Sequence, residues 1–85
     1  MKKIIFVCVH NSGRSQMAEA FVNRLGKGVV EAESAGAQPA EGLNPTVVQA
    51  MQEIGYDMAG HYPKIMTLEM MDSADYEAYC AGRAH

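Results

Sequence analysis

The residues best suited to chemistry lie together near the start of the chain, in the stretch Cys8-Val9-His10-Asn11-Ser12-Gly13-Arg14-Ser15. Cys8 offers a nucleophilic sulfur, and Arg14, six positions on, offers a planar fork that can grip two oxygens of a tetrahedral oxyanion. If the stretch joins a strand to a helix N-terminus, its backbone N–H groups turn inward and the helix dipole adds partial positive charge. The same environment is expected to lower the thiol pKa of Cys8 and to favour the thiolate. Ser15 is placed to donate a hydroxyl hydrogen bond to the Cys8 sulfur. Asn11 suits a left-handed turn, and Gly13 permits a tight backbone approach or a positive φ. Cys8, Arg14 and Ser15 are therefore the candidate catalytic residues. Val9, His10, Asn11, Ser12, Gly13, Arg14 and Ser15 are the candidate oxyanion-binding ones.

The flanking pattern supplies the elements this chemistry needs. Residues 2–7 begin with charge and continue as an apolar run rich in β-branched residues, as in a strand buried on both faces of a parallel sheet. A strand there puts Cys8 at a carboxyl end, where α/β sheets place their ligands. From Arg14 to Leu25, Met17, Ala18, Phe21, Val22 and Leu25 fall on one helical face, with Gly26 as C-cap. Residues 29–35 read as a second strand; Glu31 and Glu33 give it one wet face, as at a sheet edge. Asn44-Pro45 is an N-cap with proline at the first helical position, followed by an apolar stripe of Val47, Val48, Met51 and Ile54 and a stop at Gly55. Residues 57–66 are irregular. Thr67 suits the cap of a short helix through about Ala74, and residues 75–80 suit a third strand, although Asp75, Glu77 and Tyr79 alternate with Tyr76, Ala78 and Cys80, which is not the run expected of an interior parallel strand. The order of elements argues for an α/β fold with a parallel sheet and right-handed crossovers. Spacing alone leaves open a buried strand-end cysteine beside an exposed helix arginine. The strand before the loop, the Asn and Gly within it and the helix opening at Arg14 favour the oxyanion site.

Composition narrows the rest. With 85 residues, 48% hydrophobic and 20% charged, the chain reads as one small globular domain spanning 1–85. A net charge of −3 argues against nucleic acid as a partner. No apolar run reaches the roughly 20 residues of a membrane helix, and the run after Lys3 is too short for a signal peptide, so a cytoplasmic location is expected. Cys8 and Cys80 do not make a disulfide scaffold. The seven methionines suit core filling, and the four tyrosines suit packing. His61 and His85 read as surface residues without metal-ligand spacing, so neither metal nor cofactor is expected.

Residues 5–21, IFVCVHNSGRSQMAEAF, resemble the active-site segment of the low-molecular-weight protein tyrosine phosphatase superfamily. Gln16, where the phosphatases usually carry proline, tilts the resemblance toward the thioredoxin-coupled arsenate reductases. So do Ser34-Ala35-Gly36, Gly42-Leu43-Asn44-Pro45 and the run from Met51 to Asp57. The resemblance covers about residues 2–75. It implies a four-stranded parallel sheet, strand order 2-1-3-4, with helices on both faces. It implies that Cys8 attacks phosphorus or arsenic while the loop amides and Arg14 stabilise the transition state. The implied partners are arsenate, phosphate or a phosphate ester, with thioredoxin or another thiol as reductant. In some arsenate reductases a potassium ion near the loop is held by Asn, Glu, Ser and Asp. Asn11, Glu19 and Ser34 match three of these, and the fourth falls near Lys64, whose ammonium would replace the ion. On helical periodicity alone, Glu19 is a solvated glutamate.

The chain also departs from that family. It stops where the resemblance expects a fourth strand, a last helix and a loop bearing a general-acid aspartate, so it reads as truncated at the C-terminus. No residue matches that aspartate, Asp72 and Asp75 included. Of the two further cysteines that arsenate reductases use, only Cys80 lies near its place, about one residue early. It is either a resolving thiol or an incidental one. Loss of the fourth strand would leave an exposed sheet edge, which invites a homodimer. Three readings follow: an arsenate reductase-like protein, a low-molecular-weight phosphatase, or a non-catalytic oxyanion-binding or self-associating module.

Overall fold

Along the chain run β1 (Lys2–Cys8), α1 (Arg14–Leu25), β2 (Val30–Gly36), α2 (Pro45–Glu53), α3 (Leu68–Ser73) and β3 (Tyr76–Tyr79). They are seen in a computed structural model that describes residues 1–79. The strands form one parallel sheet in the order β2-β1-β3, with β1 central as expected. Cys80 lies outside the described residues.

Register decides which face each side chain takes, because Cα partners in a parallel pair share a face and alternate along the strand. Ile4 with Ala32 and Phe6 with Ser34 lie on one face; Ile5 with Glu33 and Val7 with Ala35 lie on the other. The helix α1 covers the first face, where the Ser34 hydroxyl donates to the Glu19 carboxylate. Met70, Met71 and Ala74 cover the second, packing against Ile5, Val7 and Ala35. The β-branched run of β1 is thus sandwiched between helices, which is why it can be continuously apolar.

The outer edge of β2 is held by two devices. At Ala32 the Asn23 side chain stands in for a neighbouring strand, accepting from the backbone N–H at 2.8 Å and donating to the carbonyl at 3.0 Å. At Gly36 the chain from Lys64 to Met66 pairs with the strand end: Gly36 N–H donates to Lys64 O at 2.8 Å, and Met66 N–H donates to Gly36 O at 2.9 Å. The otherwise irregular residues 57–66 are thereby brought against the loop that follows β1.

Two helix readings need correction. The C-terminal end of the expected α1 stripe is open, with Leu25 79% exposed, and the fully buried residues of the helix are the polar Ser15 and Gln16. The helix is anchored at its N-terminal end by polar contacts, while its last turn contributes little to the core. In α2 the Asn44 cap forms as expected, its side chain accepting from Thr46 N–H at 2.9 Å. Met51 is buried, but Ile54 at the C-cap is exposed. The tyrosines are also mostly not packing residues. Tyr62, Tyr76 and Tyr79 are exposed, whereas Tyr56 meets Phe21 edge-on at 4.9 Å and lies under the Arg24 guanidinium. Among the described residues, no helix is long and apolar enough to cross a membrane.

Candidate functional site

The loop between β1 and α1 walls a cavity of about 470 Å³, lined by residues 8–14 together with Met17, Asn44 and Val47. Cys8 ends β1 and is half-buried, and Arg14 opens α1 as the expected helix start. Among the described residues, no side chain caps the α1 N-terminus. Val9 and His10 are exposed at the rim, where His10 Nδ1 lies 3.0 Å from Gln38 O. Ser15 is fully buried behind the loop, and the cavity wall stops short of it.

The orientation of the loop peptides follows from their hydrogen bonds. The carbonyls of Cys8, Val9, His10 and Ser12 accept from the backbone N–H groups of Ala37, Gln38, Ala40 and Asn44, at 3.2, 2.8, 3.0 and 2.9 Å. The Asn11 carbonyl accepts from the Gln16 side chain at 3.1 Å. Four successive carbonyls, those of Cys8 to Asn11, thus meet donors from residues off the cavity wall, while that of Ser12 meets Asn44, which lies on it. In a planar trans peptide the N–H points opposite to its C=O. The N–H groups of Val9, His10, Asn11 and Ser12 consequently turn the opposite way from those donors.

The loop is bent at Asn11, which has φ 52° and is the one described non-glycine residue with positive φ. The left-handed turn was expected there; the positive φ considered for Gly13 is not found, its φ being −141°. Asn11 is almost fully buried, and both ends of its amide are engaged. Oδ1 accepts from Gln16 Nε2 and from Lys64 N–H, each at 2.9 Å, while Nδ2 donates to Ser15 Oγ at 2.7 Å. The end of β2 must approach this turn closely. A Cβ on Gly36 would lie 2.7 Å from the Val9 carbonyl oxygen and 3.0 Å from Asn11 Cβ, so only glycine fits there without displacing backbone.

Behind the loop, Glu19 is not the solvated glutamate that periodicity suggests. Its side chain is 14% exposed and accepts from the Ser34 hydroxyl, with Lys64 Nζ at 3.5 Å and His61 Nδ1 at 3.9 Å. The helix turns Glu19 onto the β2 face because an opposite charge and a donor are waiting there. An ammonium thus lies beside the carboxylate that would serve a potassium ion, and two cations in one pocket repel. This donor set does not fit a bound monovalent cation. Gln16, Gly36 and the segment 37–40 are the parts of the site whose roles no residue type announces.

Known proteins agree with this architecture. The family model described as "Low molecular weight phosphotyrosine protein phosphatase" matches residues 3–78. A glutaredoxin arsenate reductase from Synechocystis is 39% identical over 77 residues, covering 91% of this chain and 56% of that relative. The thioredoxin-dependent arsenate reductase of Corynebacterium glutamicum superposes with a TM-score of 0.88 at 34% identity, over 93% of this chain and 40% of that one. An arginine phosphatase from Geobacillus stearothermophilus does so at 0.86 and 30% identity, over 95% of this chain and 53% of that one. The chain spans a little over half the length of the curated relatives it matches. With the parallel sheet and the Cys8–Arg14 loop in place, the chain belongs to the low molecular weight phosphotyrosine protein phosphatase family.

Proposed function

We propose that residues 1–85 act as one domain, an arsenate reductase-like protein. Its Cys8–Ser15 loop binds a tetrahedral oxyanion, and its Cys8 thiolate attacks the central atom. The observation that carries this reading is that four successive loop carbonyls, Cys8 to Asn11, meet donors off the cavity wall, which turns the N–H groups of Val9 to Ser12 the opposite way. Arg14 adds a bidentate cation at the rim. Ser15, whose oxygen already accepts from Asn11, has its own proton left to give to the Cys8 sulfur. With arsenate, Cys8 Sγ bonds to arsenic as one arsenic oxygen departs, protonated, as water. A second thiol then attacks Cys8 Sγ. A disulfide forms, and the pair of electrons of the sulfur–arsenic bond stays on arsenic, which leaves reduced as arsenite. That second thiol is Cys80 or an external dithiol of the thioredoxin or glutaredoxin kind, the couplings named for two similar proteins. The reading places the protein in the cytoplasm, where such thiols are reduced.

Phosphate-ester hydrolysis is the second reading, favoured by the size of the cavity and by the apolar Val9, Met17 and Val47 on its wall. These leave room for an organic leaving group beside the oxyanion. Among the described residues no carboxylate lines the cavity. Asp75 is held at the far end of β1, accepting from Lys3 N–H at 2.8 Å. Five residues of strand, about 16 Å, separate Lys3 from Cys8. Wherever no acid protonates the leaving group, ester turnover is lower by on the order of 10²–10⁴. Aryl esters with good leaving groups suffer least.

A third reading, self-association, is favoured by β3. It pairs with β1 and presents Tyr76 and Tyr79 to solvent at the sheet edge. Edge-to-edge pairing would give a homodimer.

Amide NMR during titration with phosphate, sulfate and arsenate tests the site. The largest shifts are expected from Val9 to Ser15, and shifts elsewhere would end the proposal. Arsenite release without added thiol, at most one per chain, against steady hydrolysis of p-nitrophenyl phosphate separates reductase from phosphatase.

A further inference from the structure

Gln16 has no part in the chemistry just proposed, yet it is fully buried one residue past Ser15. Its Nε2 faces three oxygens: Asn11 O at 3.1 Å, Asn11 Oδ1 at 2.9 Å and Tyr62 O at 2.9 Å. Turned over, its carbonyl oxygen would face those three acceptors with nothing to donate, so the orientation of the amide is decided by its surroundings. Its Oε1 instead faces His61 Nδ1 at 3.4 Å.

Two consequences reach the loop. The carbonyls of Cys8, Val9 and His10 meet backbone donors off the cavity wall, but that of Asn11 meets this side chain. Gln16 therefore holds the Asn11–Ser12 peptide with its N–H turned the opposite way from that donor. With Lys64 N–H, Gln16 also saturates Asn11 Oδ1, which leaves Asn11 Nδ2 to donate to Ser15 Oγ. The donors run in one direction, from Gln16 through Asn11 to Ser15, so the Ser15 oxygen serves as an acceptor and its own proton is left to give. We infer that Gln16 is a positioning residue that locks the Ser12 amide and the Ser15 hydroxyl into their oxyanion-site orientations, tying both to the Tyr62–Lys64 segment. The inference rests on the reading of residues 8–15 as an oxyanion site.

The test uses the full chain and sulfate, whose charge is constant between about pH 5 and 8. Gln16→Met keeps the volume and removes both donors. Sulfate affinity is expected to fall about tenfold, the worth of one hydrogen bond to a charged group, and the Ser12 amide is expected to lose its sulfate-induced shift while the Val9 shift remains. Gln16→Glu supplies a second readout. A protonated carboxyl still donates to Asn11, whereas an ionised one sets negative charge against three oxygens. Its affinity relative to wild type is expected near parity at pH 5 and to fall several-fold by pH 8. The ionisable groups facing the position, His61, Glu19 and Lys64, are common to both proteins, so the ratio isolates residue 16. If Gln16→Met does not fold, the pH ratio of Gln16→Glu decides alone. Undiminished affinity with an unchanged Ser12 shift in Gln16→Met, or a flat ratio in Gln16→Glu, overturns the inference while leaving the oxyanion site standing. A wild-type chain that binds no sulfate overturns both.

Discussion

The central strand's carboxyl end and its outer flank are built on different principles. At its carboxyl end the chain buries polar side chains: Asn11, Ser15, Gln16 and Ser34 are each 1% exposed or less. Their hydrogen bonds join residues as far apart as Asn11 and Lys64. On the flank of the same strand, α3 and β3, the latter running beside Ile4 to Val7, leave apolar surface open, with Leu68 83%, Tyr76 58% and Tyr79 62% exposed. Burying a polar group is unfavourable unless each donor and acceptor is satisfied, and among the described residues no buried side-chain polar atom lacks a partner. The polar end is therefore specified by direction, since each amide and hydroxyl can sit only one way. The apolar flank is open to solvent and tolerates change. Rigidity is concentrated where an oxyanion would have to be met by fixed dipoles.

That contrast sets the order of expected effects. Cys8→Ser, at the polar end, should abolish turnover, by on the order of 10³-fold or more, while sulfate titration still shifts the loop amides; measurable arsenite production by the variant would show that the nucleophile lies elsewhere. Gly36→Ala pushes a methyl group into the Val9 and Asn11 backbone and should destabilise the fold by about 2–3 kcal/mol, lowering the melting temperature by roughly 10 °C or more. Gly42→Ala is its control, because a Cβ there meets nothing within 4 Å. Equal melting temperatures for the two would mean that the β2 end does not press on the loop.

Arg14→Ala should weaken oxyanion binding about 10- to 100-fold, the range for a charge-assisted hydrogen bond; calorimetric titration with sulfate measures it. Glu19→Gln keeps an acceptor for Ser34 but removes the charge facing Lys64. The pair is partly screened, so a loss of about 1 kcal/mol is expected, shrinking as salt is raised. Denaturant melts at low and high ionic strength would detect it, and a salt-independent loss would point to packing instead. Leu68→Ser, on the exposed apolar flank, should change stability by no more than about 0.5 kcal/mol. Sedimentation of Tyr79→Lys beside wild type would show whether the β3 edge associates, since a lysine on an edge strand disfavours pairing.

Residue order alone determined much of this protein. The apolar run of β1, the Cys8–Ser15 loop, the helix opening at Arg14 and the Asn44-Pro45 cap are local patterns, each set by the backbone and side-chain preferences of adjacent residues. The left-handed turn at Asn11 belongs with them, because asparagine tolerates that conformation. Tertiary structure decided the rest. Gln16 and Glu19 lie on α1 at positions that helical periodicity assigns to solvent, and they turn inward only because Tyr62, Lys64 and Ser34 supply their partners. Leu25 and Ile54 follow the apolar stripes yet remain exposed, because no described element covers the ends of their helices. Gly36 reads as an ordinary strand-end glycine until the loop folds back against it. A polar residue's burial depends on whether a distant group arrives to satisfy it. That is a property of the folded arrangement, and no local pattern of residues carries it.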